Sequence, residues 1–309
     1  MIITALKLTM EKYPGASAAT QEPFVVQPTS AHTHTFILLH GLGSNGEKFG
    51  VELLESGISH TGAKITEILP GAKFIFPTSQ KRRSSAYRRA TINQWFDIAS
   101  LDDPSKRQDV QFQGLAESSQ YIRSILDREL EMIPSKNIVL GGLSQGCAMA
   151  LSVLLSLEFP LGGFVGMSGW LPFCNDFDHI INPVSTEISN GGNDIFSFED
   201  VDGGGDLDPS ILDPSIIAIN FARDILSMDE LSPSISKNEQ TCLATPVLLC
   251  HGEDDQKIKC ELGEKAAHTL SSLGLQITWK GYPGLAHWYK IPDEIDDILE
   301  FLRVKAGWV

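Results

Sequence analysis

The sequence predicts an α/β fold: a mostly parallel central sheet with helices on both faces and a long acidic insertion after the strand ending at Gly169. Three observations lead there. Short apolar runs alternate with helical patterns along the 309 residues. The early runs are continuously apolar, as strands covered on both faces require. The alternation lapses longest at residues 173–243, and between Phe173 and Pro246 there are 14 acidic residues against two basic ones, Arg223 and Lys237.

Taken in order, "TFILLHG" (35–41), "KFIFP" (73–77), "NIVLGG" (137–142), "GGFVGMSG" (162–169), "PVLLCHG" (246–252) and "LQITWKGY" (275–282) each read as a strand. Residues 110–132 set Leu115, Ile122, Ile125, Leu126, Leu130 and Met132 on one helical face, and 145–158, 261–273 and 294–305 also read as helices. Repeated strand–helix alternation builds a parallel sheet. Two segments interrupt it. Residues 78–110 run from "QKRRSSAYRR" through "INQWFDI" to a polar loop. Residues 173–243 hold the run "EDVDGGGDLDPS" and then an amphipathic stretch, 215–231, that reads as a helix over an acyl groove or packed inside. Segments of this length inside a compact domain serve as lids or binding loops, or stay disordered. The expectation is one domain over 1–309, with 173–243 inserted as a lid-like, partly flexible segment.

Composition bounds the function. A net charge of −15, most of it in the insertion, argues against nucleic-acid binding, which draws its affinity from a basic face. Five cysteines (Cys147, Cys174, Cys242, Cys250, Cys260) without a CxxC pair suit free thiols in a reducing compartment, with the cytosol as the expected location. The start "MIITALKLTMEKYPG" lacks the apolar core of a signal peptide, and no apolar run reaches 18 residues, so no transmembrane span is expected.

The chemistry centres on "GGLSQG", where Gly142, Ser144 and Gly146 stand at i, i+2 and i+4 between a strand and a helix. That pattern holds a serine on a strained turn with its hydroxyl above the sheet; the alternative is a glycine-flanked turn with a capping serine. The next amide, Gln145 N–H, lies at a helix N-terminus, where unpaired donors favour negative charge. A serine hydroxyl needs a base, and on this scaffold an acid and then a histidine should follow later strands. "PVLLCHGEDDQKIK" supplies an acidic turn with Glu253, Asp254 and Asp255, and His287 alone among eight histidines follows the last strand in a Gly-containing loop before a helix. Its neighbours Trp288 and Tyr289 could shield it. A second oxyanion donor is expected from "LLHGLGSNGEKF", whose Gly41, Gly43 and Gly46 permit close backbone approach. Trp95, Trp170, Leu171 and Trp288 are expected on the walls of the substrate pocket.

"HGLGSNG", "WFDI", "GGLSQG", "MSGWLP", "HGEDD" and "GLAH" occur in the order seen in the acyl-protein thioesterase / phospholipase–carboxylesterase family of α/β-hydrolases, and the chain resembles that family over about 36–172 and 244–305. The resemblance implies a cytosolic serine hydrolase of carboxylic esters and thioesters with hydrophobic acyl groups, small-molecule, lipid or S-acylated protein, needing no cofactor. It implies Ser144 as nucleophile, His287 as base, Asp255 as the acid, and the amides of Leu42 and Gln145 as the oxyanion hole. The chain differs from the family in its acidic insertion, in Gln-Lys-Ile-Lys after Asp255, and in the basic run before "WFDI".

Other readings are weaker. "DVDGGGDLD" (200–208) departs from a calcium loop, with Gly204 and Ile211 at ligand positions, and His32-x-His34 has no acidic or cysteine companion, so no metal site is expected. Lys81, Arg82, Arg83, Arg88 and Arg89 read as a solvated run, as partners of the acidic insertion, or as a surface for an anionic head group in a transient membrane contact. Two rival functions remain: an acyltransferase or cyclase with the same triad, and a non-catalytic binding protein on the same fold.

Overall fold

The computed structural model describes residues 21–182, 213–231 and 241–308. In chain order the elements are β1 (Phe24–Val26), β2 (His34–Leu39), α1 (Gly46–Ser56), α2 (Ile65–Ile68), β3 (Ala72–Phe76), β4 (Lys81–Arg83), β5 (Thr91–Asn93), α3 (Phe112–Leu130), β6 (Ile138–Leu143), α4 (Gln145–Leu155), β7 (Gly163–Met167), α5 (Cys174–Ile181), α6 (Pro214–Ile225), β8 (Pro246–Gly252), α7 (Cys260–Ser272), β9 (Gln276–Tyr282) and α8 (Asp293–Val304). Seven strands form one sheet in the order β1-β3-β2-β6-β7-β8-β9. All neighbours pair in parallel except β1, which runs antiparallel to β3.

The continuous apolar runs are explained by two cores. Ile37 and Leu39 of β2 join one with Ile122 of α3, Met149 of α4 and Leu270 of α7. Phe36 and Leu38 join the other with Phe49 of α1 and Ile298 and Phe301 of α8. Successive side chains point to opposite faces, so a strand buried on both sides is apolar at every position.

Five features depart from the expectations. β1 is a three-residue edge strand too short to show a pattern. A two-stranded hairpin, β4 with β5, occupies part of the stretch read as loop. The strand expected to end at Gly169 stops at Met167, because Ser168 turns to φ 48°. The insertion opens with α5, which sequence periodicity did not reveal. The helix expected over 215–231 ends at Ile225, where Ser227 adopts φ 55° and the Met228 amide closes back on the Arg223 carbonyl (2.9 Å). Its start is set by Asp213, whose side chain accepts from Ser215 N–H, and by Pro214 in the first turn.

Helix α6 takes the packing position. Ala218, Ile219, Ala222 and Ile225 enter the first core, and the buried Arg223 guanidinium donates to the carbonyls of Ser156 (2.8 Å) and Asp229 (2.5 Å). The low-complexity run 199–210 and its calcium-loop likeness lie outside the described residues. The five cysteines form no disulfide. Among the described residues no helix is long and apolar enough to cross a membrane.

Glu294, in the first turn of α8, is buried with its Oε2 accepting the Lys290 amide (2.8 Å). Burial pushes its carboxyl up to about 8, helped by Asp297 and opposed by bonds from the Lys290 amide and the Cys250 thiol. The folded protein therefore keeps a proton that the unfolded chain releases near its ordinary 4.5. Stability falls as pH rises from that value to about 8, by about 1.4 kcal/mol for each unit of displacement at most. Thermal midpoints at pH 5.5 and 8.5 are expected to differ by several degrees, at about 2–4 °C per kcal/mol, and Glu294→Gln is expected to shrink that difference. An equal pH dependence in the variant refutes the assignment.

Candidate active site

Strand β6 ends at Leu143, α4 starts at Gln145, and Ser144 between them adopts φ 58°, ψ −122°. Such a backbone is costly for a non-glycine residue and persists where its surroundings fix it. Here Ser144 N–H donates to Met167 O (2.8 Å) and its carbonyl accepts Ala148 N–H (3.1 Å). The flanking glycines follow from contact: a Cβ on Gly142 would stand 2.6 Å from Leu39 O, and one on Gly146 only 2.1 Å from the same oxygen. The first turn of α4 thus rests on the backbone end of β2. The Ser144 hydroxyl makes no capping bond to the helix. The capping alternative is set aside.

The hydroxyl instead lies 2.9 Å from His287 Nε2, and His287 Nδ1 lies 2.6 Å from Asp255 Oδ2. An ionised carboxylate only accepts, so Nδ1 carries the imidazole proton and the Nε2 lone pair faces the serine O–H. Asp255 follows β8 and is buried. Its Oδ1 accepts the amides of Lys257 (2.8 Å) and Ile258 (3.0 Å). Burial alone would raise its pKa, but bonds from His251, His287 and Ile258 reverse that and hold it well below the usual carboxylate range. Asp254 and Glu253 of the same turn are exposed. The loops that carry Asp255 and His287 are laced together: Glu253 N–H donates to Tyr282 O and Asp254 N–H to Leu285 O, both at 3.0 Å. Ser168 Oγ donates to Trp288 O (3.1 Å), and Tyr289 OH meets Ser56 Oγ (3.0 Å), fixing the far side of the His287 loop.

The loop after β2 approaches the serine closely: a Cβ on Gly41 would lie 3.5 Å from Ser144 Cβ. Gly43 adopts φ 79°, and its N–H donates to Asn93 O (2.8 Å). Among the described residues, the amides of Leu42 and Gln145 donate to no protein acceptor. Two side chains hold this arrangement through contacts the sequence reading did not assign. His40, buried, accepts Ser79 N–H at Nε2 (3.0 Å) and so donates from Nδ1 to Gly41 O (2.8 Å). Burial drops its pKa to about 4, which keeps the ring neutral. The Gln145 side chain accepts Trp95 N–H (3.0 Å) and donates to Phe96 O (2.8 Å). A signal existed for His40, since "LLHG" and "LLCHG" both place histidine before glycine at a strand end.

The expected pocket walls divide. Trp95 is a correction: it is fully buried, with Nε1 donating to His40 O (2.8 Å), and it braces the loop after β2 from behind. Trp170 and Leu171 line a cavity of about 100 Å³ with Phe173, Leu262 and Lys265. Trp288 is half-buried, stacked on Tyr289 with ring centroids 5.1 Å apart. In the basic hairpin, Arg82 pairs with Glu117 (2.5 Å), while Lys81, Arg83, Arg88 and Arg89 are exposed. No group of metal-ligating side chains occurs among the described residues.

With this geometry in view, comparison with known proteins is direct. The family described as phospholipase/carboxylesterase matches residues 20–190 and 226–306. Acyl-protein thioesterase 1 of Gibberella zeae is 28% identical over 284 residues, covering 91% of this chain and 94% of the relative. That of Yarrowia lipolytica is 28% identical over 277 residues, covering 89% and 92%. Among solved structures, Arabidopsis thaliana SOBER1 superposes with a TM-score of 0.61 at 21% identity, covering 88% of this chain and 99% of the other. Zea mays acyl-protein thioesterase 2 gives 0.59 at 22%, covering 93% and 99%. The fold, the motif order and the matched span agree, and the chain belongs to the phospholipase/carboxylesterase family of α/β-hydrolases.

Proposed function

We propose that this protein hydrolyses carboxylic esters and thioesters with hydrophobic acyl groups through an acyl-enzyme on Ser144. The observation that carries the reading is the unbroken chain from Ser144 Oγ to His287 (2.9 Å) to Asp255 (2.6 Å). His287 takes the hydroxyl proton as Oγ attacks the carbonyl, and the imidazolium so formed faces the Asp255 carboxylate. The Leu42 and Gln145 amides receive the developing oxyanion; one such donor contributes about 10²–10³ in rate. His287 then protonates the leaving alcohol or thiol, and water repeats the sequence on the acyl-enzyme. No step requires a cofactor.

The relatives named acyl-protein thioesterase support an S-acylated protein or a lipid ester as substrate. Trp170, Leu171 and Trp288 remain the wall residues of this reading. The chain acts as one α/β-hydrolase domain with 173–243 inserted on it, in the cytosol, where unpaired cysteines persist.

A fluorophosphonate probe is expected to label Ser144 in the folded protein, and a substrate panel crossing acyl length with oxygen and sulfur leaving groups is expected to release free acid. Absence of an adduct refutes the enzyme reading. Transfer product exceeding free acid when alcohols or amines are offered would assign the protein to the acyltransferases instead.

A further inference from the structure

Asp255 is approached by two imidazoles, and the mechanism above uses one. The other, His251, sits in β8 with its side chain 1% exposed. Its Nε2 lies 2.9 Å from the carbonyl of Ile258 and 3.3 Å from Asp255 Oδ2, the oxygen that His287 also meets. A carbonyl only accepts, so Nε2 carries the proton; Nδ1 has no partner among the described residues. The ring is closely packed. A Cβ on Gly263 of α7 would stand 2.4 Å from Nδ1, and the Trp279 ring of β9 lies against it, centroids 6.2 Å apart.

We propose that His251 is a positioning residue for hydrolysis: its one N–H fixes the 255–258 turn and shares the carboxylate oxygen on which His287 depends. The proposal rests on the triad reading above. The connection is closed at both ends. His251 holds Ile258 O, and Ile258 N–H holds Asp255 Oδ1 (3.0 Å), so rotating the carboxylate away from His287 breaks the turn that His251 clamps. The second role is electrostatic. A donor beside Oδ2 withdraws part of the charge that stabilises the His287 imidazolium. The other ionisable groups in and about this turn are Glu253, Asp254, Lys257, Lys259, Glu261, Glu264 and the Cys260 thiol, unchanged in every variant below. A ring that only filled space would need no N–H aimed at a carbonyl.

The test uses the full chain and a short-chain aryl ester, measuring kcat and KM across pH. His251→Phe keeps a flat ring and loses the donor. It is expected to lower kcat about tenfold or more with KM within about twofold, as misaimed groups do. The acid limb of its pH profile is expected to move to higher pH, since Oδ2 then serves the imidazolium alone. His251→Gln, which restores an N–H toward Ile258 O, should recover most of the rate and return the limb. In the Asp255→Ala background, His251→Phe should cost nothing further, because both act through one carboxylate. Nitrogen NMR of the wild-type protein should find the His251 proton on Nε2, a measurement that needs no variant to fold. Additive loss in the double variant, an unmoved acid limb, or a proton on Nδ1 each overturns the proposal. Activity surviving Ser144→Ala would overturn the triad reading itself, and that variant leaves His251 untouched.

Discussion

Ser144→Ala is expected to lower kcat by about 10⁴–10⁶ while leaving the thermal midpoint nearly unchanged. The hydroxyl bonds His287 and caps nothing in α4, so its removal deletes chemistry and little structure. His287→Ala should cost a similar amount, and the double variant no more than either alone, because nucleophile and base act as one unit. Residual turnover above the solution reaction would come from the Leu42 and Gln145 amides. Single-turnover rates with an activated ester, read beside circular dichroism of each variant, separate lost chemistry from lost fold. A Ser144→Ala protein retaining a tenth of the wild-type rate would end the assignment.

The second large effect falls on the carboxylate. Asp255→Asn is expected to reduce kcat by about 10³–10⁴, because an amide can turn its N–H₂ toward Nδ1 and force the wrong tautomer on His287. The neighbouring Asp254→Asn is expected to change kcat little. Asp254 enters the site only through its backbone, with N–H on Leu285 O and carbonyl on Gln256, while its side chain is exposed. The two acids stand one position apart, Asp255 buried and Asp254 exposed, so the comparison separates the carboxylate that meets His287 from its neighbour. The opposite ranking would show that the turn presents the other acid to His287.

Much of this was legible in the chain. Strands buried on both faces announce themselves as unbroken apolar runs, and β2, β3, β6, β7, β8 and β9 all lie within one or two residues of their expected bounds. The proposed nucleophile and base could be picked out of the chain because Gly142, Gly146 and the last-strand loop leave few alternatives, and the fold brings Ser144 and His287 together. Composition could not choose among Glu253, Asp254 and Asp255; the family likeness chose Asp255, and geometry brings that one to His287. What escaped was set by partners distant in sequence. β1 exists through pairing with β3, and β4 (Lys-Arg-Arg) with β5 (Thr-Ile-Asn) through a hairpin that carries no apolar period. Trp95 was expected on a pocket wall because it follows a strand-end loop expected near Ser144; its indole N–H instead finds His40 O, 55 positions away. The shared His-Gly at two strand ends flagged His40 and His251, but their bonds to Ser79 N–H, Gly41 O and Ile258 O exist only once those neighbours are folded around them.

The seat of α4 on Leu39 O has a wider consequence. The serine's height above the sheet is gauged against main-chain atoms, which every residue type shares. Side chains in either core can therefore be exchanged over long divergence while that gauge keeps its zero. That gauge holds provided that Gly142 and Gly146 stay bare.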